Sequence, residues 1–485
     1  MPAQETSNPE IRRTLGTFSI VLMVVAATAP LTVVAGTQPL VMTYTDNISI
    51  PVYYLVVGLI LVVFSVGYTT MSKFVPNAGA FFSYIQAGLG KRMGLGAATM
   101  ALLSYVLICI AVIAYLGYAT ASAITLFFPG VTVPWWICAF AWWAFIAFLG
   151  YHNIELSSKV LGFFLVAEVA VITILDVAIV GSGGGAGLDL APFAPSNFLS
   201  GNPGLGLMWA VFGFIGYEAT AVFRSEAKDP DKTIPRATYI SVAFIAAFYG
   251  ISAWCNVMGV GSAGALEAAY ATQDAYMLDL AAVYVGQWLY DVMQCLLVTS
   301  LFACALSLHN VATRYTFMLS RVHVLPAPLG KVNGRHFAPS NASALISGVS
   351  LVLLAVVTVI GLDPLVVYAW FANAATLGLV SLQMLTSFSV IVFFRSHARE
   401  EGRWHTLVAP ALSGLALAAI TALVIVNFPT LTGDVVSAVV MGVLIPVSYL
   451  VGFLVAGHMK KAKPRDFAAL SSLVVGEPVL AGAES

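Results

Sequence analysis

Twelve times along this chain, apolar residues run on long enough to cross a bilayer, each run bounded by charge, Gly or Pro. The runs lie near residues 16–43, 51–73, 94–128, 134–151, 158–181, 204–225, 235–260, 283–315, 341–361, 364–394, 408–428 and 433–457. The third and eighth exceed the ~20 residues that a perpendicular helix needs, so both are expected to tilt. The polar positions between runs sort by sign. All 21 Lys and Arg residues fall in the two tails or in loops that follow even-numbered runs. Those loops hold Lys73, Lys91 and Arg92; Lys159; Arg224, Lys228, Lys232 and Arg236; Arg314, Arg321, Lys331 and Arg335; and Arg395, Arg399 and Arg403. The odd-numbered loops carry acids: Asp46, Asp189, Glu267, Asp274, Asp279, Asp363 and Asp434. A miscounted run would scramble this separation. Under the positive-inside rule it predicts an even number of spans and two cytoplasmic tails, 1–15 and 458–485.

Composition narrows the class further. Of 485 residues, 60% are hydrophobic and 9% charged, where a soluble domain carries roughly a quarter charged. Mean hydropathy is +0.93, and twelve spans leave little chain outside the bilayer, which excludes large globular domains. The expected class is an all-α polytopic membrane protein in the cell membrane, with the lipid bilayer as its partner. A net charge of −1 provides no basic field for nucleic acid. Five scattered Cys and seven His without ligand spacing predict neither a disulfide framework nor a metal site. Residues 1–15 are polar and precede a run too long for a cleavable signal. No cofactor is expected, and without a P-loop any energy source is a gradient.

Two runs are interrupted at corresponding depth. In the first, Ala26-Ala27-Thr28-Ala29-Pro30-Leu31-Thr32 places a proline and two hydroxyls near mid-membrane. Pro30 removes a backbone donor and disfavours helix at Ala29. In the sixth, Phe212-Gly213-Phe214-Ile215-Gly216-Tyr217-Glu218 places two glycines and a carboxylate there. Either break alone reads as a kink, since Pro and Gly are common in membrane helices. Matched breaks in two halves point to a transporter's substrate site, whose freed N–H and C=O groups a ligand can satisfy. The breaks also predict an inverted repeat, with one five-helix unit over 16–181, a second over 204–394, and two added helices over 408–457.

Three loops carry a family resemblance. Val75-Pro76-Asn77-Ala78-Gly79-Ala80-Phe81-Phe82, with Tyr84, Leu89 and Gly90, resembles a segment of the amino acid–polyamine–organocation (APC) permeases. Glu226-Ala227-Lys228-Asp229-Pro230-Asp231-Lys232-Thr233-Ile234-Pro235-Arg236-Ala237 is similar to that family's loop after the sixth helix. His309-Asn310, Arg314-Tyr315, Leu325-Pro326 and Pro339 resemble a third signature. The resemblance implies a LeuT-type fold and secondary transport of amino acids, polyamines or related amines. Substrate residues implied at the breaks are Thr28, Ala29, Leu31 and Thr32, and Phe212, Gly213, Ile215 and Gly216. Phe212 would cover the substrate, and the carbonyls from Phe212 to Ile215 would accept from its ammonium. Tyr105 and Asn373 are further wall candidates, with walls expected from the third, eighth and tenth runs. Relatives usually carry Gly-Ser-Gly in the first break, whose amides hold an α-carboxylate. Pro30-Leu31-Thr32 stands there in this chain, which favours amines.

Ionisable groups inside the runs are expensive and are functional candidates. They are Glu168 and Asp176 in the fifth run, Glu218 in the sixth and His309 in the eighth. Glu218 matches the family's acid in the sixth helix and can cap the broken helix or carry a proton. Many relatives hold a Lys near the place of Glu168; a carboxylate there can carry a proton, bind a cation or compensate a cationic substrate. His309 can relay protons or simply bond a neighbouring helix. Asp176 lies near the outer end and is expected to reach water. Proton coupling is the expectation; sodium would draw on Ser300 and Ser307. A major-facilitator transporter would need a Gly-Asp-Arg-Arg-rich second loop, and a prenyl transferase would need clustered acids. A substrate sensor on a transporter fold remains open.

Overall fold

The computed structural model describes residues 15–75, 80–152, 158–225, 227–333, 339–396, 401–433 and 435–471. Pro76 to Gly79 and Glu226 of the loop signatures lie outside these residues, as do Arg12, Arg13, Arg335, Arg399, Asp434, residues 1–14 of the N-terminal tail and 472–485 of the C-terminal one. Among the described residues the chain is helical, with one isolated bridge between Leu15 and Ala227.

The first run forms α1 (Thr17–Ala27), then a π-helical turn (Thr32–Thr37) leading into α2 (Gln38–Thr45). There follow α3 (Ile50–Ser72), α4 (Ala80–Leu89), α5 (Lys91–Phe127), α6 (Trp135–Tyr151), α7 (Ser158–Ser182) and the single turn α8 (Pro195–Phe198). The sixth run is split into α9 (Pro203–Gly213) and a 3-10 helix (Tyr217–Ser225). Then come α10 (Pro230–Val260), α11 (Ala265–Thr272), α12 (Tyr276–Tyr284), α13 (Gln287–Arg321), α14 (Ser340–Ile360) and α15 (Pro364–Ser396). The chain closes with α16 (Ala409–Thr432), α17 (Val435–Ala462) and α18 (Pro464–Ala469). Ten helices among the described residues are long and apolar enough to cross a membrane. α6, with 17 residues, is shorter, and the sixth run is divided by its break.

α5 is the axis of the bundle, packed against α4, α6, α13, α15 and α17. Its most apolar stretch is 83% buried, whereas that of α17 is 17% buried, which sets α17 at the periphery. Peripheral helices turn large aliphatic and aromatic side chains outward, among them Phe163, Val359 and Val426. So broad an exposed apolar surface fits a membrane setting. Close approach of helix backbones depends on small residues. A Cβ on Gly117 of α5 would stand 2.6 Å from the Trp135 carbonyl oxygen, so only glycine admits α6 at this distance.

The third and eighth runs become helices of 37 and 35 residues. At 1.5 Å per residue these reach ~50–55 Å, well beyond a ~30 Å hydrocarbon core. Stretches that read as loops also contain helix: α4 lies between the second and third runs, and α11 and α12 between the seventh and eighth. The C-terminal stretch expected as a tail is partly folded. α18 docks on α5, where Lys91 Nζ donates to the Phe467 and Ala468 carbonyls (3.1 and 3.0 Å).

Candidate functional site

Both expected breaks interrupt their helices. α1 ends at Ala27; Thr28 Oγ1 turns back to donate to the Val25 carbonyl (2.8 Å) and meets Tyr249 Oη at 3.1 Å. Ala29 adopts φ 48°, a left-handed conformation that costs an L-residue ~1–2 kcal/mol. Pro30 explains the choice, because its ring crowds the right-handed helical conformation at the residue before it. The sixth run breaks at Phe214–Gly216, where Gly216 takes φ 112° without a Cβ to clash. A Cβ built on Gly216 would lie 3.5 Å from that of Ala27, so the two breaks face each other.

A cavity of about 210 Å³ opens between them. The breaks contribute Thr28, Ala29, Thr32, Phe212, Ile215, Gly216 and Glu218, and α5 contributes Tyr105, Ile108 and Val112. The α13 wall is Cys304, Ser307, Leu308, Val311, Arg314, Tyr315 and Met318. Hollows of about 940 and 560 Å³ have no charged side chain in their walls, and others of about 500 and 460 Å³ lie at Tyr118 and Tyr290 and beside Asp176, away from both breaks. The smaller cavity is bounded by both breaks and by the carboxylate of Glu218, which makes it the candidate site. Behind Phe212 the cavity is backed by buried aromatics. Trp209 meets Phe212 at 5.7 Å between ring centroids, Phe212 meets Tyr368 at 5.9 Å, and Tyr115 meets Tyr368 at 4.9 Å. At the other end Arg314 is exposed, so the cavity communicates with solvent on that side.

Glu218 lies in the cavity wall and holds the second break together. Its Oε2 accepts the Gly216 N–H (2.9 Å) and its Oε1 accepts the Tyr105 hydroxyl (3.0 Å). Its carbonyl accepts from the Tyr68 hydroxyl (2.9 Å). The capping role is therefore present, and the carboxylate still borders the cavity. Glu168 sits one layer deeper. Its Oε2 accepts the Leu31 N–H at 3.1 Å. Beside it, Ser300 of α13 accepts from Thr32 Oγ1 (3.2 Å). Adjacent residues of the first break are thus tied to two helices, Leu31 to Glu168 of α7 and Thr32 to Ser300 of α13.

Several expectations need correction. Leu31 is fully buried and outside the cavity wall, with its amide already given to Glu168. Gly213 ends α9 and faces Tyr54 and Val33; a Cβ there would lie 2.9 Å from the Tyr54 ring, so it is a packing position. The Phe212 and Phe214 carbonyls already accept the Ile215 and Tyr217 N–H groups within the turn. Asn373 donates to the Ala369 carbonyl of its own helix (2.7 Å), and α15 is absent from the cavity wall. Asp176 is 7% exposed and accepts the Ser252 hydroxyl (2.6 Å), so it is buried between α7 and α10 and does not reach water.

His309 lies away from the cavity, with Nε2 at 3.0 Å from Ser343 Oγ on α14 and the ring packed on Gly150. It belongs to a helix–helix contact. His309→Ala is expected to lower stability by ~1–2 kcal/mol and leave the pH dependence of transport unchanged. A pH profile that moves in this variant would restore the relay role.

Of the α13 wall, the sequence pointed to the helix as a whole, to Ser307 as a sodium ligand and to Arg314-Tyr315 as part of a loop signature, but not to Cys304, Leu308, Val311 or Met318. The signal was present as a single helical face, since 304, 307, 308, 311, 315 and 318 recur at three- and four-residue steps. It could not be separated from the other apolar faces of the same helix.

The chain matches the amino acid permease family over residues 19–467. It is 23% identical over 443 residues to the branched-chain amino acid permease BcaP of Bacillus subtilis, covering 86% of this chain and 88% of that protein. It is 22% identical over 365 residues to the low-affinity putrescine importer PlaP of Escherichia coli K12, covering 72% and 76%. Similarity also extends to the chloroplastic cationic amino acid transporter 7 of Arabidopsis thaliana, 24% identical over 415 residues and covering 76% and 68%. With a family match across nearly its whole length and a cavity at two facing helix breaks, the chain belongs to the amino acid permease family of the APC superfamily and is a transporter, not an enzyme.

Proposed function

We propose that this protein is a proton-coupled secondary transporter that moves amino acids or related amines across the cell membrane. The reading includes twelve spans in a five-plus-five inverted repeat, over 16–181 and 204–394, with two added helices and both tails cytoplasmic. Substrate occupies the cavity between the breaks, against Thr28, Ala29, Thr32, Tyr105, Phe212, Ile215 and Gly216. The observation that carries the reading is the bond from the Leu31 amide to Glu168, which ties a buried carboxylate to the first break next to Thr32 of the cavity wall. A carboxyl so placed can carry a proton. The charged form is held by the Leu31 amide and the positive end of the half-helix, while the neutral form escapes the penalty of a buried charge. Proton uptake by Glu168 then changes how tightly the first break is tied to α7, which is the coupling step. Substrate names among relatives span branched-chain amino acids and putrescine, which suits a reading that covers both amino acids and amines.

Arg314 lies at the solvent end of the cavity, and basic residues mark the cytoplasmic side, so this conformation is inward-facing. Alternating access then requires the aromatic layer of Trp209, Phe212 and Tyr368 to part. Reconstituted protein is expected to accumulate labelled substrate under an inward proton gradient and to exchange it in counterflow. Binding without counterflow would identify a sensor, and accumulation driven by a sodium gradient alone would replace the proton as coupling ion.

A further inference from the structure

We infer that the substrate is a primary amine with a single cationic end, an apolar body and no α-carboxylate. This deepens, and rests on, the transport reading above. The ends of broken helices present unbonded amides to anions, and here all but one of those amides are absent or already used. Pro30 has none, Leu31 gives its N–H to Glu168 Oε2 (3.1 Å), and Val33 gives its N–H to the Ala29 carbonyl (3.1 Å), which leaves the Thr32 N–H next to a residue whose amide holds the Glu168 carboxylate, where a second carboxylate is repelled. Glu168, 137 positions away in sequence, therefore occupies from within the place where a substrate carboxylate would bind.

The cavity wall has the opposite preference. Glu218 borders it as a carboxylate whose two oxygens are held by neutral donors, the Gly216 amide and the Tyr105 hydroxyl. An ammonium group placed there would gain a charge-assisted bond. Beyond it the wall is mainly apolar, with Val33, Ile108, Val112, Phe212, Ile215 and Leu308, and its other polar groups carry no negative charge. A second ammonium would meet no second acid among the wall residues and would be brought towards the guanidinium of Arg314, so the site also disfavours diamines.

Matched ligands test the inference on the purified full-length chain. Phenethylamine and L-phenylalanine share a body and differ by the α-carboxylate; putrescine adds a second cation, and 5-aminovalerate adds a distant carboxylate. Phenethylamine is expected to bind at least about tenfold tighter than each of the others. Equal or tighter binding of any of the three overturns the inference.

Two variants test the cause. Glu168→Ala uncovers the Leu31 amide and is expected to shift the affinity ratio towards L-phenylalanine by about tenfold. Glu168→Gln retains an acceptor for that amide and is expected to keep the preference for the amine. An unmoved ratio in the first variant or a reversed one in the second overturns the inference. Counterflow separates it from the transport reading. Exchange of the amino acid but not the amine defeats the inference and leaves transport standing. Amine binding with no exchange of any ligand defeats transport and leaves the ligand class standing. If no amine is bound or exchanged, the inference fails.

Discussion

Replacing Glu168 by Gln is expected to abolish concentrative uptake while counterflow persists. The amide oxygen of glutamine can still accept from Leu31, so the link between α7 and the first break survives. What is lost is the proton. In the proposed mechanism Glu168 is the group through which a proton gradient does work, and one pH unit corresponds to about 1.4 kcal/mol, or tenfold accumulation. With a gradient of that size, the internal-to-external ratio should fall from about ten to one. Counterflow needs only substrate binding and alternating access, so its rate should stay within a few-fold of the parent. Proteoliposomes with and without an imposed pH step provide both readings. Unchanged concentrative uptake in this variant would remove Glu168 from the coupling step and return attention to Glu218.

Glu218→Gln should produce the second large effect, on affinity. Gly216 would keep an acceptor, and the side-chain amide could still meet the Tyr105 hydroxyl, so the second break keeps its shape. The negative charge facing the cavity disappears. A hydrogen bond to a charged group is worth ~1.5–3 kcal/mol, so binding of a cationic amine should weaken roughly 10- to 100-fold. Thermal midpoint without ligand should change little. Titration of the purified variant is the direct measurement, and an unaltered affinity would place the ammonium elsewhere in the cavity. The two variants separate the proposed roles, since Glu168 acts on accumulation and Glu218 on binding.

Both carboxylates were visible in the sequence as acids inside apolar runs, but their roles were not. Glu218 sits two residues from Gly216, and this short spacing made a cap legible. Glu168 reaches the backbone of Leu31 from another helix, and nothing local to either residue encodes that meeting. Pro30 and the Gly213–Gly216 stretch announced both breaks because proline and glycine act on their own backbone. Within the second break, however, the sequence could not say which glycine served the cavity. Gly216 takes the left-handed turn beside it, while Gly213 is committed to packing against Tyr54. His309 and Asn373 looked alike, as polar groups in apolar helices. Only their neighbours decide that one bonds Ser343 and the other its own helix. α4, α11 and α12 were missed because a window tuned to some twenty apolar residues passes over helices of 8–10.

By itself the sequence determined the class of protein, the family and the positions of the two breaks. Apolar run length, charge sign and backbone chemistry are local properties, and each is readable one segment at a time. The tertiary structure decided which face of each helix lines the cavity, which amides remain available and which acid touches substrate space. In a soluble helix a polar side and an apolar side reveal what faces water. In a membrane helix both lipid and protein core are apolar, so the one-dimensional pattern does not distinguish them and only packing assigns each face.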